Sequence, residues 1–155
     1  RTVFVFKPQN IKIDNNCPLV ADIEEKFYFK DQNDQIYASP ADETPSYPHD
    51  CHPDDLDIAI GIDRIQKATK FKFNHIDNKW SGLRTFVKDK SPVIGYENSN
   101  KNFFWLVAQG GYGIQTSPAL AEISANIILN KKNDFLIDNS TLNNISIKRI
   151  RNEIL

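Results

Sequence analysis

Three glycines in four positions, Gly110-Gly111-Tyr112-Gly113, stand between two apolar stretches. Phe103-Phe104-Trp105-Leu106-Val107-Ala108 leads in, and an apolar-periodic run from Ala119 to Leu129 leads out. A buried strand, a glycine turn and a helix satisfy that pattern. The glycines let the backbone approach another group closely and adopt positive φ at little cost. Thr116 or Ser117 is placed to cap the helix, with Pro118 in its first turn. The helix start then offers free N–H groups and the positive end of the dipole to an electron-rich ligand. A plain strand–turn–helix corner would carry the same pattern.

The rest of the chain reads as short strands around one further helix. Thr2 to Phe6 is a strand, and Lys7 to Pro18 a polar loop. Leu19 to Ile23, Lys26 to Lys30 and Gln35 to Ser39 are strands, the last two paired as a hairpin across Asp31-Gln32-Asn33-Asp34. Pro40 to Pro53 is a long connection. Asp54 to Ala68 has helical spacing at Leu56, Ala59, Ile60, Ile62, Ile65 and Ala68, with Gly61 weakening the helix. Lys70 to Val87 reads as a long strand region and Pro92 to Tyr96 as another strand, followed by a polar turn from Glu97 to Asn102. Asn130 to Asn144 is polar, and Ile145 to Leu155 a short tail. Hairpin-length turns and many strands around two helices predict an α+β fold with a largely antiparallel or mixed sheet.

At 155 residues the chain suits a single compact unit with a sizeable core. A net charge of -1 leaves no electrostatic footprint for nucleic acid. No apolar run is long enough to span a bilayer. Cys17 and Cys51 make no disulfide framework, which fits a reducing, cytoplasmic compartment. The chain contains no methionine and opens directly on a strand pattern, as expected of a piece of a longer protein.

Few side chains suggest chemistry on their own. Arg84, set among Trp80, Leu83 and Phe86, is expected to be partly buried, and a buried guanidinium needs an anion. That anion could be a ligand carboxylate, held bidentately, or one of the chain's own acids. Tyr28 could turn its hydroxyl to a ligand or pack its ring in the sheet. His49, Cys51 and His52 match no zinc framework, so no metal site is expected. Asp42 and Glu43 are adjacent and would face opposite ways on a strand. His75 reads as a surface residue. No phosphate loop of the GxGxxG or GxxxxGK type is present.

Three segments carry a family resemblance: Trp80-Ser81-Gly82-Leu83-Arg84-Thr85-Phe86, then Asp89 to Gly95, then Phe104 to Pro118. Together they resemble the C-terminal part of the FAD-dependent D-amino-acid oxidase superfamily, which includes glycine and sarcosine oxidases. Within it the chain is most similar to bacterial D-arginine dehydrogenases. Leu19 to Lys30 and Ser39 to Pro45 fit the same pattern.

The resemblance implies that residues 1–96 belong to the substrate-binding domain and 97–155 complete the FAD-binding domain. Arg84 would clamp the substrate carboxylate, and Tyr28 would donate a further hydrogen bond. Gly111 would offer its carbonyl to the substrate amino group, and Arg1 would lie near the substrate. Gly110, Gly111, Tyr112, Gly113, Ile114, Gln115 and Thr116 would line the flavin, Ile114 near the substrate entrance. The implied reaction is hydride transfer from the substrate α-carbon to flavin N5, then hydrolysis of the imino acid to a 2-oxo acid and ammonia. The implied partners are a D-amino acid or amine, a quinone or peripheral membrane acceptor at the inner face, and the N-terminal half that grips the nucleotide. Without that half these residues are expected to hold FAD weakly and to be inactive alone. A sibling amine oxidase, or a binding module that borrows its nucleotide half from a partner, would carry much of the same pattern.

Overall fold

The computed structural model describes residues 1–12, 14, 16–133 and 137–151. The fold is α+β with antiparallel sheets, as the pattern of strands predicts. The chain divides into two compact units, Arg1–Leu83 and Arg84–Leu155.

The first unit is a five-stranded sheet covered on one face by a helix. Its strands are β1 (Thr2–Phe6), β2 (Val20–Ala21), β3 (Tyr28–Gln32), β4 (Gln35–Ser39) and β5 (Asn78–Ser81). They lie in the order β2-β3-β4-β1-β5, every pair antiparallel. The β3–β4 turn is tighter than the four residues expected. Gln32 pairs with Gln35, leaving Asn33 and Asp34 at φ of 55° and 60°. Two left-handed residues give the turn whose twist matches the flanking strands, and Asn and Asp tolerate that conformation best after glycine.

Helix α1 (Asp55–Ala68) is capped by Asp54, whose Oδ1 accepts from the Leu56 N–H at 2.7 Å. Its buried face is Ile58, Gly61 and Ile65. The apolar spacing read from the sequence included Leu56, Ala59 and Ala68, which are exposed. The true face is set by the closest approach to the sheet, at Gly61. A Cβ there would lie 2.9 Å from Phe4 Cε1 and 3.1 Å from Pro40 Cβ. Around this contact lies a core of Phe4, Phe6, Phe27, Phe29, Ile36, Ala38, Ile58 and Ile65.

The long strand expected over 70–87 reduces to β5. The alternation at Phe71 and Phe73 comes from packing: Phe73 stacks on Phe6 at 3.9 Å, and Phe71 meets Phe29 edge-on at 5.4 Å. Its backbone is held by the loop after β1, where Gln9 N–H donates to the Lys72 carbonyl and Asn10 bonds both Lys70 and Lys72.

The second unit is built on the hairpin β6 (Val93–Tyr96) and β7 (Phe104–Val107). Helices α2 (Gly113–Ile128), α3 (Asn139–Ile145) and α4 (Ile147–Arg151) follow. Successive residues of β6 feed two cores, since neighbours on a strand face opposite ways. Val93 packs with Ala108 and Ile147, and Ile94 with Leu120 and Ile123. Among the described residues no helix is long and apolar enough to cross a membrane.

Candidate functional site

The glycine turn is shaped by two left-handed residues. Ala108, only 2% exposed, leaves β7 at φ 59°, and Gly110 follows at φ 54°. Gly110 donates its N–H to the Thr85 carbonyl at 3.1 Å. A Cβ on Gly110 would stand 2.5 Å from Phe86 Cε1, so only glycine fits between ring and turn. A Cβ on Gly111 would meet nothing within 4 Å. One residue of the turn is therefore seated and the next is open.

Tyr112, the N-cap of α2, supplies no side-chain cap, and no acid stands in the first turn. The helix begins at Gly113, ahead of the Thr116 or Ser117 cap expected from sequence. Thr116 and Ser117 are not caps. Thr116 Oγ1 donates back to the Tyr112 carbonyl at 2.8 Å, and Ser117 Oγ to the Ile114 carbonyl at 2.9 Å. Pro118 lies in the second turn instead of the first and has no N–H for the Ile114 carbonyl four residues earlier. Ser117 supplies the missing donor. The N–H groups of Gly113, Ile114 and Gln115 have no intrahelical acceptor, because a helix start leaves them none. Ile114 is 94% exposed and Tyr112 53%.

Arg84 is exposed, where partial burial was expected. It lies outside any strand, so Leu83 and Phe86 do not enclose it as they would in a sheet. Its neighbour Thr85 is the residue that holds Gly110, which brings the backbone of the Arg84 segment against the turn.

Arg1 and Tyr28 belong to the first unit. Tyr28 is half-buried, opposite Ser39, and alternates with Phe27 and Phe29 of the core, so it lies on the sheet face away from α1. The Arg1 guanidinium donates to the Ala41 carbonyl, to the Asp42 carbonyl at 2.9 Å and to Glu43 Oε1 at 2.5 Å. The Asp42 carboxylate accepts from the Thr2 N–H at 2.7 Å. Arg1, Asp42 and Glu43 thus lock the first residues of β1 to the chain after β4.

Among the described residues no cluster of His, Cys, Asp and Glu is arranged to hold a metal ion. His49 Nδ1 lies 2.6 Å from the Tyr47 carbonyl, and His75 pairs with Asp77 at 2.8 Å while 71% exposed. Three carboxyls among the described residues are shifted for structural reasons, one of them Asp138, which the hydrogen bonds from Thr141 at the start of α3 hold below the usual carboxylate range. Burial, then the charges of Asp42 and Asp54, push Asp57 above the usual carboxylate range. The Arg149 guanidinium, with the Ser91 N–H, holds Asp89 down to about 2.

An open glycine next to an uncapped helix start suits a planar, electron-rich group, whose negative edge the N–H groups and dipole would stabilise. The residues present therefore fit a flavin. Thr85 and Phe86 are the members of this site that sequence reasoning missed. Only the fold shows that the chain after Arg84 lies under Gly110. A family model described as FAD dependent oxidoreductase matches residues 1–127.

Proposed function

Because the chain belongs to the FAD dependent oxidoreductase family, we propose that it forms the substrate-facing and flavin-facing walls of an enzyme that oxidatively deaminates D-amino acids, basic ones such as D-arginine. The observation that carries this reading is the seated Gly110, the open Gly111 and the uncapped start of α2 beside the segment of Arg84.

Each residue has a defined task. Arg84 binds the substrate carboxylate through its planar fork of donors. The Gly111 carbonyl accepts from the substrate amino group, and no side chain crowds that approach. Residues Gly110 to Thr116 hold the flavin, with N–H groups at the start of α2 facing its negative edge. FAD, when bound, supplies the two-electron acceptor for the substrate hydride. The chain's contribution is orientation and electrostatics.

The test is Arg84→Ala in the full-length, FAD-loaded protein. Losing a charge-assisted carboxylate contact of about 2 kcal/mol or more weakens substrate binding roughly 30-fold or beyond. Anaerobic titration with D-arginine, read by flavin bleaching, measures it. An unchanged apparent affinity would remove Arg84 from its role. Oxygen uptake against dye reduction separates an oxidase from a dehydrogenase.

A further inference from the structure

We propose that Phe86 is a positioning residue for this reaction, its ring seating the Gly110 turn and so setting the register between that turn and Arg84. The inference rests on the proposed function above, which gives Arg84 the substrate and the turn the flavin.

Three contacts tie the residues after Arg84 to the turn in succession. Thr85 accepts the Gly110 N–H at 3.1 Å. Phe86 lies under Gly110, with Cε1, Cδ1 and Cζ at 2.5, 3.0 and 3.2 Å from where a Cβ would stand. Val87 packs against the core cluster that contains Ala108. The turn is pinned on the other side of Gln109 as well, because the left-handed Ala108 is buried in that cluster. Two left-handed residues bracketing Gln109 leave this backbone few alternatives. The three heavy atoms nearest to the Cβ position on Gly110 all belong to the Phe86 ring, two residues from Arg84. Consecutive Cα atoms are about 3.8 Å apart, so any tilt of Phe86 is passed to both neighbours.

Removing the ring opens a gap under Gly110 and lets the turn settle towards the Arg84 segment. Substrate still meets the Arg84 guanidinium, so binding changes little. The reacting atoms lose alignment, and a displacement of about 1 Å can cost on the order of 100-fold in rate. A residue that only fills the core would lower stability and leave the rate of the folded, flavin-loaded enzyme alone.

The experiment uses the full-length holoenzyme, with flavin content measured by absorbance and anaerobic stopped-flow reduction by D-arginine. Phe86→Ala is expected to lower the reduction rate at saturating substrate by roughly 10- to 100-fold while the apparent Kd moves less than about threefold. Phe86→Tyr, which keeps the ring, is expected to bring the rate back within about threefold of the parent. Should Phe86→Ala not retain flavin, Phe86→Leu is judged by the same criteria. An unchanged reduction rate in the flavin-loaded variant overturns the proposal, as does equal impairment by Ala and Tyr. Arg84→Ala, run alongside, separates the two levels. If it weakens binding while Phe86→Ala leaves the rate unchanged, only the positioning role falls. If D-arginine does not reduce the parent, or Arg84→Ala is silent, the functional reading falls and takes this inference with it.

Discussion

Replacing Gly61 by alanine should destabilise the protein, although helix propensity alone says the opposite. In an exposed helix interior, Gly→Ala gains about 1 kcal/mol. Gly61 is buried in the middle of α1, and its added methyl would sit 2.9 Å from Phe4 Cε1, 3.1 Å from Pro40 Cβ and 3.4 Å from Phe4 Cζ. Carbon atoms prefer about 3.5–4.0 Å, so helix and sheet must part by about half an ångström or more. Phe4 cannot swing aside, since it is fully buried against Phe6. Parting also loosens Ile58 and Ile65, which flank Gly61 on the buried face. Overpacking of this kind costs about 1–3 kcal/mol, which leaves a net loss of about 1 kcal/mol once the propensity gain is subtracted. Equilibrium urea unfolding followed by far-ultraviolet circular dichroism reads that difference. In a Phe4→Leu background the shorter side chain makes room, and Gly61→Ala should there become neutral or favourable. A gain of about 1 kcal/mol from Gly61→Ala in the parent sequence would refute the close approach of α1 to Phe4.

Two further outcomes are expected. Asp31 is 4% exposed, and neither carboxylate oxygen has a hydrogen-bond partner among the described residues. Asp31→Leu should therefore raise stability by about 1–3 kcal/mol, and a fall in the urea midpoint would mean that the carboxylate holds a partner such as an enclosed water or cation. Asp89 has its pKa lowered to about 2, so its pairing with Arg149 contributes stability above about pH 4 that is lost as pH falls through 2. The pair is half-exposed on the aspartate side, which limits its worth to under about 1 kcal/mol. Arg149→Ala should lose more stability relative to the parent at pH 5 than at pH 2, on top of a pH-independent loss of its bonds to the Ser91 and Ser146 carbonyls, whereas a constant gap across that range would assign none of Arg149's effect to the Asp89 charge.

Strands β1 and β4 were legible at their observed bounds because each rests on local pattern, whereas β2 and β3 were expected over Leu19 to Ile23 and Lys26 to Lys30 and lie at Val20–Ala21 and Tyr28–Gln32. Thr2 to Phe6 is a run of β-branched and aromatic residues, and Gln35 to Ser39 follows a turn signal. The 70–87 region misled because Phe71 and Phe73 alternate for a tertiary reason, packing on Phe6 and Phe29 while their backbone bonds to a distant loop. The face of α1 was misjudged because apolar residues mark burial only where a neighbour is present. Leu56 has none and is 68% exposed, while Gly61, with no side chain to signal, makes the tightest contact. Arg84 was expected to be enclosed by its sequence neighbours, but these enclose a residue only if they share its strand face, and the segment is not a strand.

The start of α2 is the place where local rules failed most, and each failure has the same direction. Thr116 and Ser117 are good caps by type, and Pro118 is a good first-turn residue. Had they served so, the helix would begin at Ser117 or beyond with its first N–H groups satisfied by a hydroxyl. Instead the hydroxyls bond backward to carbonyls, Ser117 covering the one that Pro118 leaves without a donor. The helix thereby extends to Gly113 and presents its N–H groups beside Gly111, where no side chain intrudes. An extension that gives up a cap forgoes about 1 kcal/mol. An anionic or electron-rich ligand in the capping position would return it, so a ligand bound there would recover the cost that the bare start imposes.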